Sequence, residues 1–108
     1  MNYDILYSPE ALEDLRSIYK YIAFELQASE SAEGQVKRIR SAIQKLDTFP
    51  EGHSRVDWDP WSAMGMRFIT VDNFIVYYMV DNVDRKVQVV RIFYGGRDIE
   101  HIIQVQRD

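Results

Sequence analysis

The apolar positions of this chain change their period partway along, and the change divides it into a helical first half and a strand-rich second half. Tyr3 to Tyr7 is a short apolar run that stops at Ser8-Pro9. This predicts a strand running into a helix, with Ser8 as N-cap and Pro9 at the first helical position. Leu12, Leu15, Ile18, Tyr19, Ile22 and Leu26 then recur at three- and four-residue intervals and make one apolar helix face. Glu10, Glu13 and Asp14 fall in the first turns, where negative charge suits the helix dipole. Gln27-Ala28-Ser29 breaks the pattern, and Ser29 or Ser31 can cap a second helix. Its stripe is Val36, Ile39, Ile43, Leu46 and, at its end, Phe49, before Pro50 and Gly52 stop it. Two amphipathic helices joined by so short a link are most simply an antiparallel hairpin.

Glu51 to Ala63 has little periodicity and reads as an ordered loop, with Trp58 and Trp61 expected to cover the end of the core, the alternative being to stack on bases or insert into a partner's groove. Beyond it Met64 to Val71, Phe74 to Val80 and Lys86 to Tyr94 are rich in β-branched and aromatic residues. Asp72-Asn73 and Asp81-Asn82-Val83-Asp84 separate them, which predicts three antiparallel strands joined by hairpins. Asp98 can cap a short last helix through Gln104. The expected fold class is therefore α+β: an N-terminal strand, then a two-helix hairpin packed on one face of an antiparallel sheet with a C-terminal three-stranded meander. The other sheet face is expected to be open. Alternation sets Arg67 with Ile69 and Val71 on one side of its strand, and Arg91 with Val89 and Phe93 on one side of the last. Register decides whether the two arginines share a face.

At 108 residues the expectation is one domain, 1–108, and 46% hydrophobic residues supply it with a core. The lack of cysteine excludes disulfides, thiolate nucleophiles and cysteine-ligated zinc. No apolar run approaches membrane-spanning length and Met1-Asn2-Tyr3-Asp4 lacks the features of a signal peptide, so a cytoplasmic protein with no membrane partner is expected. A net charge of −4 argues against a global basic field for nucleic acid, so any such contact must be local.

No metal or cofactor is expected, since His53, Asp57 and Asp59 lack ligand spacing and read as turn chemistry. No serine stands in a nucleophile elbow, and Gly95-Gly96 lacks the lysine and helix of a phosphate loop. Arg38 and Arg40 belong to a solvated helix face. Arg67, Arg91 and Arg97 differ, because a charge within or at the end of an apolar strand must reach solvent or a partner. Asp72, Asp98 and Glu100 are candidate partners. The alternative is a cationic site on the open sheet face, suited to a metal-free RNA cleavage in which a 2′-hydroxyl attacks the phosphate in line and arginines stabilise the added charge. Tyr94 or His101 would move the proton.

The opening Tyr7-Ser8-Pro9-Glu10-Ala11-Leu12-Glu13-Asp14-Leu15 resembles the RelE/ParE superfamily, the toxins of bacterial type II toxin–antitoxin pairs. So do Leu46-Asp47-Thr48-Phe49-Pro50-Glu51-Gly52, Met66-Arg67-Phe68, Asn73-Phe74-Ile75-Val76-Tyr77-Tyr78 and Val90-Arg91-Ile92-Phe93-Tyr94-Gly95-Gly96-Arg97-Asp98, in that order and spacing. The resemblance implies a helical hairpin on a sheet and a cognate antitoxin that wraps the toxin. It implies one of two targets: the RelE-like branch cleaves mRNA in the ribosomal A site, and the ParE-like branch poisons DNA gyrase. Arg67 matches a basic strand position common to both branches and Arg97 the arginine after the last strand, while Tyr94 stands where many relatives have histidine. Ile75 and Ile103 stand where the best-known RNA-cleaving members have a catalytic arginine and a terminal tyrosine. The first expectation is a ribosome-dependent mRNA endonuclease using Arg67, Arg91, Tyr94 and Arg97. The alternatives are a non-catalytic inhibitor of DNA gyrase and an inactive antitoxin-binding module.

Overall fold

The computed structural model of the protein describes residues 2–96. Strand β1 (Asp4–Tyr7) leads into helix α1 (Pro9–Lys20), which runs on as a π-helical turn over Tyr21–Glu25 and is followed by α2 (Ser29–Gln44). Two 3₁₀ turns, Lys45–Asp47 and Pro50–Gly52, and the short helix α3 (Trp61–Met64) lead to β2 (Arg67–Val71), β3 (Phe74–Asp81) and β4 (Lys86–Tyr94). Arg97, Asp98, His101, Ile103 and the expected last helix lie outside the described residues.

The three C-terminal strands form the expected antiparallel meander, and β1 joins it in parallel beside β4, giving the order β1-β4-β3-β2. The sheet is thus mixed. Local patterning identified β1 as a strand but carried no signal for its partner. Ser8 begins α1 as expected: its Oγ accepts from the Ala11 N–H at 2.9 Å and donates to the Val90 carbonyl at 2.8 Å, tying the helix start to β4. The second cap differs. Ala28 holds the N-cap position of α2 with no side-chain hydrogen bond, so neither Ser29 nor Ser31 caps the helix.

Leu15, Ile39 and Ile43 of the helices pack on Val76, Val89 and Ile92 of the sheet, and Leu46 meets Tyr78 and Val87. Phe49 leaves the stripe: it takes a left-handed backbone at φ 52° and is 82% exposed. The buried Tyr78 hydroxyl donates to the Pro50 carbonyl at 2.6 Å, which fixes the segment after α2 against the sheet. Tyr78→Phe leaves that carbonyl without its donor and is expected to cost about 1–2 kcal/mol in urea unfolding. Burial also raises the Tyr78 pKa from its usual 10 to about 12. In that window the unfolded chain loses the proton first, so stability is expected to hold up to about pH 10 and to fall as pH rises toward 12, less steeply in Tyr78→Phe.

The opposite sheet face is covered, contrary to expectation. Val56, Trp61 and Met66 of the intervening loop bury Tyr77 and Phe93, with Trp58 stacked on Trp61 at a centroid distance of 5.1 Å. The aromatic content of the loop explains the difference: two indoles and the rings of β3 and β4 remove more apolar area from water by closing on each other than by staying apart.

Candidate functional site

The three described members of the expected cationic site do not converge. β4 carries one more residue than β3 at Val90, because Tyr77 pairs with Arg91 while Tyr78 pairs with Val89. This bulge puts Val89 and Ile92 together on the helix side and Phe93 on the other, so Val89 and Phe93 do not share a face as simple alternation predicts.

Arg91 is engaged in a structural pair. Its Nε and one terminal nitrogen donate to the two carboxylate oxygens of Asp14 on α1, at 2.8 and 3.1 Å, and the Ile92 N–H donates to the same carboxylate at 2.9 Å. The Arg91 and Asp14 side chains are only 20% and 15% exposed. The guanidinium also lies 4.3 Å from the Phe93 ring centroid. β1 ends opposite Val89, so beyond that point the outer edge of β4 has no neighbouring strand among the described residues, and the Asp14 carboxylate accepts from its Ile92 N–H there. Among the described residues Arg91 pairs with Asp14 and not with Asp72, while the candidates Asp98 and Glu100 lie outside them. Asp72 instead accepts from Arg38 Nε at 2.8 Å and from Gln35, and these bonds hold its carboxyl below the usual carboxylate range.

Arg67 lies on β2 with Ile69 and Val71, as alternation predicts, and donates to the His53 carbonyl at 2.8 Å. It is two strands from Arg91, a separation of about 10 Å across the sheet. Tyr94 is 51% exposed at the end of β4, edge-on to Phe74 at 5.9 Å. Its ring occupies the space above Gly96, where an added Cβ would sit 2.6 Å from Tyr94 Cε2. The Gly95 N–H closes the turn on the Asn73 carbonyl at 2.8 Å.

Tyr94 belongs to a different feature, an apolar groove of about 650 Å³ between the helical hairpin and the sheet. Ile18, Tyr21, Ile22, Leu26, Phe74 and Tyr94 supply its apolar lining, and Asp14, Ser17, Gln35 and Asn73 add polar groups. Tyr21 and Leu26 are 58% and 56% exposed, and neighbouring Phe24 is 69% exposed. For Leu26 the π-helical turn accounts for it. The Leu26 N–H bonds the Tyr21 carbonyl five residues back, and such a turn inserts one residue and rotates the residues after it by about 100°. Leu26, which its spacing assigns to the buried stripe, is thereby turned out. Three- and four-residue periodicity cannot register such a shift.

A hairpin of helices against a four-stranded mixed sheet is a fold that solved structures share. A ParDE toxin–antitoxin structure from P. aeruginosa superposes with a TM-score of 0.71 at 23% identity, covering 85% of this chain and 95% of that one. E. coli RelE in the free state gives 0.67 at 14% identity over 99% and 98% of the two chains. The archaeal RelE–RelB complex from Pyrococcus horikoshii gives 0.60 at 14% identity over 90% and 99%. No curated protein matches the sequence. Residues 5–99 match the ParE toxin of the type II toxin–antitoxin system parDE, and the chain belongs to that family. It is a toxin of the RelE/ParE superfamily. Among the described residues no helix is long and apolar enough to cross a membrane.

Proposed function

We propose that this toxin acts by binding, as a ParE-type inhibitor of DNA gyrase held in check by a cognate antitoxin. The observation that carries this reading is the Arg91–Asp14 pair. A cation committed to a carboxylate and largely withdrawn from solvent contributes little to a developing phosphorane charge. Arg67 and Tyr94 lie apart on different elements, and Ile75 brings no charge to the sheet. The ParE family match supports the same branch.

For the antitoxin we assign the apolar groove beside Tyr94. Exposed large side chains clustered beside a groove of this kind mark an interaction surface, and an amphipathic helix with apolar residues on one face suits it in form and chemistry. The competing reading, ribosome-dependent mRNA cleavage by Arg67, Arg91, Tyr94 and Arg97, makes a different prediction in cells. On the binding reading, induction of the toxin is expected to raise the DNA-damage response, while mapped mRNA 5′ ends show no new cuts within translated codons. Codon-phased cuts that disappear in Arg97→Ala would establish the nuclease and defeat the proposal.

A further inference from the structure

The end of the molecule opposite the apolar groove carries a second exposed apolar feature, set among carboxylates. β4 separates the two ends, running from Lys86 to Tyr94 over about 26 Å of extended chain. Phe49 and Val83, at 82% and 91%, are the most exposed large apolar residues of the described chain. Asn82 joins the loops that carry them, donating to Glu51 Oε1 at 3.2 Å and accepting from the Tyr3 hydroxyl at 2.6 Å. The Tyr3 N–H in turn donates to the Asp47 carbonyl at 2.8 Å. At the hairpin tip the Val83 and Asp84 N–H groups both donate to Asp81 Oδ1. Two apolar side chains thus project from a hydrogen-bonded platform.

Neither the turn nor the core accounts for a phenylalanine at position 49. Pro50 disfavours continuation of the helix through Phe49, and the left-handed backbone found there, at φ 52°, is one that glycine adopts without strain. The ring then stands in water. A side chain that strains its backbone and stays solvated points to a contact outside the chain. The surrounding charge gives the character of that contact. Asp4, Asp47, Glu51, Asp81 and Asp84 gather at this end, and none has a cation within ion-pair distance among the described residues. Of the nearby cations, Arg85 lies over the Tyr3 ring at 4.3 Å, Lys86 stands between Asp4 and Asp81 in the strand register, and Lys45 lines a cleft beside α2.

We propose that this end is the surface by which the toxin engages gyrase, an assignment that rests on the gyrase-binding function proposed for the chain. Phe49 and Val83 enter an apolar depression on a cationic part of the enzyme, and the carboxylates around them meet its lysines and arginines. The chemistry of gyrase suits this occupant: an enzyme that binds and moves DNA presents cationic surface to the phosphate backbone. Other occupants fit less well. Nucleic acid and an anionic membrane carry the same sign of charge as this end, and two copies of the chain meeting end to end would repel each other. The apolar groove at the far end stays available to the antitoxin.

The test measures binding of dye-labelled toxin to intact gyrase by fluorescence anisotropy. The unaltered toxin is expected to bind, and more weakly as salt is added. Phe49→Gly/Val83→Ser is expected to weaken that binding at least roughly thirtyfold. Its melting temperature should hold or rise, because glycine relieves the left-handed strain and both side chains are already solvated. Asp84→Lys is expected to weaken gyrase binding at least roughly threefold. Antitoxin affinity, measured by titration calorimetry, should be unchanged in both variants. Equal gyrase binding by the unaltered toxin and the double variant would overturn this assignment and leave the gyrase reading standing, whereas no binding by the unaltered toxin would overturn both. Loss of antitoxin affinity instead of gyrase affinity would give this end to the antitoxin, and a toxin dimer that dissociates in the double variant would give it to a second copy; either result would overturn the assignment.

Discussion

Asp14→Ala is expected to lower the unfolding free energy by about 2–3 kcal/mol, the largest loss for any single polar side chain among the described residues. Removing one partner of a fully buried pair costs about 3–5 kcal/mol, because the remaining charge is left without compensation. Exposures of 20% and 15% for Arg91 and Asp14 let water recover part of that. The same deletion also strips the acceptor from the Ile92 N–H, at a place where no described strand stands ready to replace it. Asp14→Asn keeps an acceptor for that N–H but loses the charge, so it is expected to fall between Asp14→Ala and the unaltered protein. Glu13→Ala supplies the contrast. Its pairing with Arg16 is about 60% exposed on both sides, and the loss there should stay within about 0.5 kcal/mol. Urea denaturation with unchanged slopes is the appropriate measurement. Equal losses for Asp14→Ala and Glu13→Ala would mean that Arg91 is freely hydrated, and would return it to the set of available cations.

The second large effect concerns recognition. Tyr21→Ser/Leu26→Ser is expected to weaken antitoxin binding at least roughly a hundredfold, since two apolar anchors at an interface centre each contribute about 1–2 kcal/mol or more. Folding should be little changed, because both side chains are already more than half exposed. The biological readout is distinctive: the variant remains toxic while co-expressed antitoxin no longer protects. Titration calorimetry of the purified pair measures the loss directly. An unchanged affinity in a folded variant would place the antitoxin elsewhere on the toxin.

The features behind these two effects were unequally visible in the sequence. The strand, both helices and the meander came through in periodicity and turn residues, and the Ser8-Pro9 start carried its own capping chemistry. Trp58 and Trp61 were legible as core cover, but the extent of that cover, which closes the face assigned to the site, was not. Asp14 looked like one more acid in a helix first turn; its role as the counterion of Arg91, 77 positions away, depends on where β1 ends beside β4. The bulge at Val90 and the π-helical turn at Tyr21–Glu25 each add one residue to a regular element. A single added residue reverses a strand's faces or turns a helix by about a quarter revolution, so both features move side chains that periodicity alone assigns elsewhere. Arg67 and Tyr94 could be placed on their strands, but only register shows them to stand apart.

Inhibition of gyrase by binding, without RNA cleavage, is tested most directly by the ATP-dependent supercoiling of relaxed plasmid. Purified gyrase is assayed with increasing toxin, and then with toxin mixed beforehand with its antitoxin. Supercoiling is expected to be lost at toxin concentrations near that of the enzyme, with linear DNA accumulating after denaturation, and to recover when the antitoxin is present. Full supercoiling at a large molar excess of folded toxin would contradict a gyrase-binding toxin.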